Sequence, residues 1–300
     1  MTTTNGLLLI DKASGLTSHD VVAQVRQILE ESRVGHAGTL DPMATGLLVL
    51  GVGASTRLLR FAQSEVKRYV GTVRLGVATD SLDAQGAVVD ERPVPELTSV
   101  QATAAATAML GPQQQVPPMV SALKVNGRRL HELAREGLHV ERDARDITVN
   151  EFSVTATDNP ASWDFEVECT VGTYVRVLLS DLALALGTVG HLSALRRISS
   201  GHHHVDQAVT LEQLRQLVHD GRSPLRPPVD FVTQLESTVV DDDQERRLRM
   251  GQRIEVEGSF SAEEIAALDA RGALVAILQT RDEKWKPQVV LPSASATDAL

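Results

Sequence analysis

Cysteine and aromatic residues are scarce in this chain of 300 residues. The single cysteine, Cys169, cannot form an intrachain disulfide, which excludes a disulfide-stapled secreted scaffold. Aromatic residues make up 3% of the chain, and two of them are tyrosines. Apolar residues, at 42%, still suffice for a core, and a charged fraction of 23% argues against wholesale disorder. The composition therefore predicts a globular protein with one large domain or two ordinary ones.

Long hydrophobic runs are also missing. The longest, at residues 7–10 and 46–54, fall far short of the roughly 20 residues that span a bilayer. Residues 1–5 show neither the basic patch nor the apolar core of a signal peptide. We therefore expect no membrane association and a cytoplasmic location.

Basic residues are outnumbered, 29 to 39, which gives a net charge of −10. Such a charge argues at first against a nucleic-acid partner, because phosphate contacts need Lys and Arg. The excess is unevenly distributed: residues 1–80 carry 8 bases and 7 acids, whereas residues 230–300 carry 8 bases and 14 acids. The total charge therefore does not exclude RNA binding by the rest of the chain.

Hydrophobic periodicity predicts a mixture of strands and helices. Thr17 and Asp20 have the spacing of a capping box, which predicts a helix start near Ser18. The clearest period-2 alternation runs over residues 163–171 and predicts a strand with one solvated face. The other predicted elements are strands at 7–10, 47–50, 69–77, 253–257, 274–278 and 288–291, helices at 98–110, 130–134, 177–186, 211–218 and 261–270, a turn at 80–86, and a linker or loop at 113–118.

The domain prediction follows from a Pro-rich linker at 224–228. It divides the chain into a main domain over 1–228 and a small domain over 229–292, followed by a disordered tail at 293–300. A stretch dense in basic residues, 119–146, is predicted to be an insertion in the main domain.

The loop at 35–46 contains three glycines around one His and one Asp. Glycine permits backbone conformations that other residues resist, and Pro42 pushes Asp41 toward extended geometry. The pattern therefore predicts a rigid turn that displays the Asp41 carboxylate as a candidate nucleophile. On spacing alone, an Asp-Pro turn that joins a helix to a strand is the competing interpretation.

Signals for bound cofactors are missing. The glycine-rich loop lacks the Gly-Lys-Ser/Thr ending of a phosphate-binding loop, and Gly51 and Gly53 are too few for a dinucleotide fingerprint. Residues 202–204 are consecutive histidines, which point to alternate faces of a strand and lack a completing ligand. We expect no metal and no small-molecule cofactor.

The same loop resembles the TruB family of bacterial pseudouridine synthases, whose signature has the form Gly-His-x-Gly-x-Leu-Asp-Pro-x-Ala-x-Gly. The resemblance extends over about residues 6–217 and includes five further blocks in order. These blocks are Asp11 and Lys12 with Gly15, Thr17 and Ser18; Lys67 to Tyr69; Pro117 and Pro118 with Ser121, Ala122 and Lys124; Gly172 to Arg176; and Leu195 to Arg197.

The resemblance implies an α+β fold: a pseudouridine synthase core with a mixed, largely antiparallel sheet, and a small C-terminal PUA-like domain. It implies an isomerase that converts the uridine at position 55 of the tRNA T arm to pseudouridine after flipping the base out of its stack. The stretch 119–146 would grip the RNA. A redox-neutral isomerisation agrees with the missing cofactor signals, and we expect tRNA as partner and a monomer.

The resemblance also implies roles for nine residues. The catalytic group consists of the nucleophile Asp41, its partner Arg176, and two tyrosines. Arg176 would keep Asp41 ionised, because a nearby cation lowers a carboxylate pKa. The implied assignments are Tyr69 stacked on the uracil, Tyr174 beside the sugar, His36 in the space left by the flipped base, Leu195 against the uracil, Arg196 and Arg197 on backbone phosphates, and Lys12 as a phosphate contact or a structural residue.

Two other functions remain open on sequence grounds. The first is a tRNA-binding folding chaperone whose main role is non-catalytic. The second is a carboxylate-dependent nucleoside hydrolase, which would release free uracil. The substitution Asp41→Asn separates the catalyst from the chaperone, because the chaperone does not need the carboxylate.

Overall fold

The computed structural model describes most of the chain, with short gaps. The predicted helix at 130–134 is only partly covered, and the predicted tail lies, apart from residue 293, outside the described residues. No helix in the described part of the chain combines the length and apolar character needed to cross a membrane. The described residues are 5–63, 66–121, 123–125, 127–130, 133, 136–138, 140–281 and 284–293.

Strands dominate the fold. They are β1 Gly6–Lys12, β2 Val34–His36, β3 Thr45–Val52, β4 Lys67–Leu75, β5 Val77–Thr79, β6 Val88–Glu91, β7 Gly111–Gln115, β8 Lys124–Val125, β9 Arg128–Arg129, β10 Arg145–Ala156, β11 Ser162–Cys169, β12 Gly190–Ser200, β13 His203–His204, β14 Ser237–Val239, β15 Glu264–Leu268, β16 Leu274–Arg281 and β17 Lys284–Val290. The helices are α1 Ser18–Leu29, α2 Leu59–Gln63, α3 Ser99–Thr107, α4 Val175–Ala185, α5 Leu211–His219 and α6 Asp242–Arg249, with 3₁₀ turns at Gly53–Leu58, Val205–Gln207 and Pro228–Phe231.

The main sheet has nine strands in the order β1-β3-β12-β4-β11-β10-β7, with β2 beside β3 and β13 beside β12. Its pairs are antiparallel except for β12 and β3, which run parallel. A second sheet, β14-β15-β16-β17, forms the C-terminal unit. The predicted α+β class, with a mixed and largely antiparallel sheet, is confirmed.

Strands β1 and β3 are buried on both faces. Because side chains alternate along a strand, Leu8 and Leu48 point to one face and pack in the main core with α1. Leu7 and Leu47 point to the other face, where they share a core with Phe231 and residues of the C-terminal sheet. The two sheets are therefore joined by a common apolar layer.

Three element predictions were wrong. At 253–257, where a strand was predicted, the structure has only an isolated bridge between Ile254 and Trp285. The alanine-containing stretch predicted as a helix at 261–270 forms β15, which pairs with both β14 and β16. Ile265, Ala266 and Ala267 are all buried there, so burial between neighbouring strands overrides their helix propensity. Part of the predicted linker at 113–118 also belongs to a strand, β7, which pairs with β10.

Candidate active site

Asp41 begins a tight turn between β2 and β3. The Ala44 N–H donates to the Asp41 carbonyl at 3.1 Å, and Pro42 holds the second turn position. Gly46 ends the loop at φ +97°, and a Cβ there would lie 2.2 Å from the Arg197 carbonyl oxygen. Glycine is required at this close approach, and the loop leads directly into a strand that fixes its end.

The loop between β1 and α1 holds this turn in place. The Gly15 N–H donates to the Pro42 carbonyl at 2.8 Å, and the buried Ser18 hydroxyl accepts the Leu40 N–H at 2.8 Å. Ser18 is the first residue of α1, whose predicted Thr17–Asp20 capping box is present. The start of α1 therefore fixes the turn that displays Asp41.

Lys12 is part of the same support. Its side chain is fully buried, and its ammonium donates to the carbonyls of Ala13, Leu16 and Pro42 at 3.0, 2.7 and 3.3 Å. Burial lowers the pKa of Lys12 to about 8. This position favours the structural alternative for Lys12 over a phosphate contact.

Arg176 is shared between two carboxylates. Its Nε lies 3.0 Å from an Asp41 oxygen, and its Nη1 lies 3.1 Å from an Asp83 oxygen. The guanidinium also donates to the carbonyls of Ser81 and Val120, each at 2.8 Å. The side chain of Asp41 is 35% exposed to solvent, whereas that of Asp83 is 7% exposed. Asp41 is therefore the carboxylate that a substrate can reach.

The pKa of the Asp41 carboxyl is raised overall, although Arg176 lies beside it. Burial raises the pKa of the Asp41 carboxyl, and the nearby Asp83 charge raises it further. Arg176 and Lys12 lower the pKa of Asp41, as expected of cations, but burial is the larger cause. Arg176 thus lowers the pKa of Asp41, as predicted, and limits the rise that burial causes.

Sequence reasoning missed Asp83. Its carboxylate accepts from the Ser81 hydroxyl at 2.7 Å and the Gln85 N–H at 3.0 Å, besides its contact with Arg176. The turn at 80–86 was predicted, but local sequence does not show that one of its acids is buried beneath a distant arginine. The only signal was the general rule that a buried acid needs a cationic partner.

Tyr174 precedes α4 at the rim of the same site. Its backbone N–H donates to the Gln115 side-chain oxygen at 2.7 Å, and its carbonyl accepts from the Gln115 amide nitrogen at 3.2 Å. The Ser121 side chain lies near its hydroxyl and lowers its pKa. Burial raises the pKa of Tyr174, so the ring carries a neutral phenol at pH 7.

Tyr69 and Leu195 come from adjacent strands of the main sheet, β4 and β12. Tyr69 pairs in register with Arg197, and Leu195 with Gly71. Both side chains are buried, and burial raises the pKa of the Tyr69 hydroxyl. The two strands thus place an aromatic and an aliphatic surface on one wall.

Arg197 is buried and held by protein groups in this fold, and its predicted phosphate contact stays a prediction. It is 1% exposed, and it donates to the carbonyls of Leu47 at 2.7 Å and Gly38 at 3.2 Å. Its charge also lies near the Tyr69 hydroxyl and lowers the pKa of that group. These bonds tie the Asp41 loop to the wall formed by β4 and β12.

Arg196 and His36 lie away from this cluster. Arg196 alternates to the opposite side of β12, where it makes a two-point contact with Asp11 at 3.0 and 2.7 Å and stays partly exposed. His36 is half-buried, and its ring meets the His19 ring edge-on at 5.5 Å between centroids. Burial lowers the pKa of His36. Both residues border the site without lining its cavity.

The remaining predicted residues line one cavity of about 330 Å³. Among the described residues that line it, Asp41 carries the one carboxylate, while Lys67, Arg176 and Arg197 are cationic. The described part of the chain contains no cluster of His, Cys, Asp and Glu suited to a metal. The predicted site residues along the cavity are Asp41, Tyr69, Tyr174, Arg176, Leu195 and Arg197.

Family models match most of the chain in consecutive segments. Residues 26–175 match the TruB family pseudouridylate synthase N-terminal domain. Residues 176–239 match the C-terminal domain of tRNA pseudouridylate synthase B, and residues 235–292 match the C-terminal part of tRNA pseudouridine synthase II.

Curated relatives and solved structures agree with these matches. The chain is 42% identical over 294 residues to tRNA pseudouridine synthase B of Rhodococcus jostii, covering 97% of this chain and 95% of that protein. It is 48% identical to the protein of the same name from Thermobifida fusca over 70% of this chain and 74% of that one. Its fold is similar to a chain of the Cbf5-Nop10-Gar1 complex, with a TM-score of 0.72 and 24% identity over 96% of this chain and 84% of that one. The chain belongs to the TruB family of pseudouridine synthases.

Proposed function

We propose that this protein converts the uridine at position 55 of the tRNA T arm to pseudouridine, with Asp41 as nucleophile. The observation that carries the proposal is the partly exposed Asp41 carboxylate, held by Arg176 at 3.0 Å in a cavity with an aromatic wall. The name tRNA pseudouridine synthase B of relatives 42% and 48% identical supports tRNA as the substrate. The proposal includes a monomer that works in the cytoplasm.

The reaction breaks the bond between C1′ and N1 of the uridine and forms a bond between C1′ and C5. N1 gains a proton and C5 loses one, so nothing is added or removed overall. Asp41 attacks the uridine as its carboxylate, and the bond that it forms breaks again when C1′ joins C5, so the carboxylate is regenerated. Its two oxygens have different partners: Nε of Arg176 is 3.0 Å from Oδ2, and Nη2 is 3.4 Å from Oδ1. Arg176 orients the carboxylate while leaving it partly exposed to the cavity.

The walls of the cavity suit a base that has left its stack. Flipped bases are held by aromatic and apolar side chains. We place the uracil against the Tyr69 ring and the Leu195 side chain, both buried on adjacent strands. Tyr174 lies beside the ribose in this arrangement, where its neutral phenol can donate a hydrogen bond. The proton that leaves C5 passes to solvent, and solvent supplies the proton that N1 gains.

The rim of the cavity supplies the RNA contacts in this proposal. His36 fills the space that the flipped base leaves in the RNA loop. Arg196, partly exposed and fixed by Asp11, contacts a backbone phosphate. The stretch at 119–146 grips the T arm, and its Val120 and Ser121 already contact Arg176 and Tyr174.

The test uses an unmodified T-arm stem-loop transcript with wild type, Asp41→Asn and Asp90→Asn, with pseudouridine mapped to the nucleotide. Asp90 is a matched control because its carboxylate pairs with Arg92 on an exposed strand, away from the cavity. We expect wild type and Asp90→Asn to modify only the position-55 uridine. Asp41→Asn should give no product and still bind the transcript.

Other outcomes would change the assignment. Wild type that forms no pseudouridine but accelerates tRNA refolding would favour the chaperone. Release of free uracil would favour the hydrolase. Full activity of Asp41→Asn would remove Asp41 as the nucleophile.

A further inference from the structure

Tyr174, the residue just before α4, is held from outside the helix. Tyr174 is the N-cap of α4, yet no side chain caps this helix end. Instead, the Gln115 side chain from β7 takes both backbone groups of Tyr174: it accepts the N–H at 2.7 Å and donates to the carbonyl at 3.2 Å. The same carbonyl accepts the N–H groups of Val177 and Leu178 in the first turn of α4, each at 3.1 Å.

Gln115 is a buried amide whose hydrogen bonds go to the active site. It is 6% exposed, and its backbone pairs with Arg145 in the register of β7 and β10. Burial of an amide costs free energy unless the amide is hydrogen-bonded. The two bonds to Tyr174 therefore explain why a glutamine, and not an apolar residue, occupies this buried position. The bonds connect the strand that leads into the stretch 119–146 with the turn that carries Tyr174.

We propose that Gln115 is a positioning residue for isomerisation. It fixes the position of the Tyr174 ring and of the first turn of α4, which carries Arg176. This proposal rests on the proposed function. Gln115 does not line the cavity, so it acts through the backbone of Tyr174 and makes no contact with the uridine. Displacement of a catalytic group by about 1 Å can cost roughly a hundredfold in rate.

The test compares Gln115→Leu and Gln115→Glu with Gln114→Leu. Gln114 is the matched control, because it is exposed on the same strand and has no bond to Tyr174. Gln115→Leu should lower kcat by about tenfold to a hundredfold while KM for the stem-loop stays within about threefold, because binding groups are untouched. Gln114→Leu should match wild type.

Gln115→Glu provides a pH signature that a packing role would not. A protonated carboxyl has one donor and one acceptor, like the amide, and preserves both bonds. An ionised carboxylate loses the donor and repels the Tyr174 carbonyl. The activity of Gln115→Glu relative to wild type should therefore fall steadily from pH 5.5 to 8.5.

Tyrosine labelling reads the position of Tyr174 without any reaction. The chain contains two tyrosines, so ring-labelled protein gives two NMR signals, which Tyr69→Phe assigns. The Tyr174 signal should move in Gln115→Leu and stay in place in Gln114→Leu. An unmoved Tyr174 signal together with an unchanged kcat in Gln115→Leu would overturn the proposal. If Gln115→Leu fails to fold, a pH profile of Gln115→Glu that runs parallel to that of wild type would overturn it instead. Inactive wild type would instead refute the proposed function, and the Tyr174 signal would still decide the positioning role.

Discussion

Asp83→Asn should destabilise the fold and move the acid limit of activity to lower pH. The Asp83 oxygens accept from Ser81, Gln85 and Arg176, and the side chain is 7% exposed. Asn retains one oxygen, which can serve Ser81 and Gln85, but it turns an NH₂ toward the Arg176 guanidinium. The loss of one buried, charge-assisted bond is worth about 1.5–3 kcal/mol of unfolding free energy.

The shift in pH dependence follows from the same contacts. The negative charge of Asp83 raises the pKa of Asp41, and Arg176 lowers it. In Asp83→Asn the raising charge is gone and Arg176 has one carboxylate left, so the pKa of Asp41 falls. Because Asp41 must be ionised to attack, the acid limb of the kcat profile should move to lower pH.

Urea unfolding at pH 7 and a pH profile of single-turnover rates measure the two effects. Asp90→Asn is the control, because its pair with Arg92 is exposed and such pairs are worth about 0–1 kcal/mol. Equal unfolding free energies for the two variants would refute the buried network as a source of stability. An acid limb displaced to higher pH would show that Arg176 leaves Asp41 when Asp83 loses its charge.

Two further predictions concern stability. Burial lowers the pKa of His203 from 6.5 to about 4 in the folded protein. Between these two values the unfolded chain takes up a proton at His203 and the folded protein does not. The free energy of unfolding therefore decreases as the pH falls through this window, by up to about 1.4 kcal/mol per pH unit. Melting temperatures at pH 7 and 5 should show a smaller drop for His203→Leu than for wild type, whereas the exposed His219→Leu should keep the full drop. Leu47→Ala should cost about 2–5 kcal/mol in urea unfolding, because Leu47 is fully buried between the two sheets. The exposed Leu184→Ala should change little, and equal costs would contradict the shared core.

Local signals predicted the elements that depend on local chemistry. The Thr17–Asp20 pair marks the start of α1, and the alternation near residue 163 marks β11, because capping and pleating are set by a few neighbouring residues. The turn at Asp41 follows from its proline and glycines in the same way. These features needed no knowledge of the partners across the sheet.

Sequence reasoning fell short where distant partners decide the outcome. Residues 264–268 are helix-prone in isolation and become a strand because β14 and β16 lie on either side. The family resemblance predicts that Arg197 contacts a phosphate, but in β12 its side chain points inward and donates to the carbonyls of Leu47 and Gly38. The sequence did not indicate a role for Asp83, because that role depends on its contact with Arg176, which is 93 residues away in the chain.

The common apolar layer between the two sheets has a consequence for synthesis. The first strand described, β1, has Leu7 on a face that shares its core with Leu58 and Phe61, and Phe231 and residues of the C-terminal sheet complete that core. Translation proceeds from the N-terminus, and domains usually fold as they emerge. Here the core on this face of β1 stays incomplete until the last quarter of the protein has left the ribosome. Nascent chains stalled before that point should therefore be the ones that chaperones bind and proteases remove.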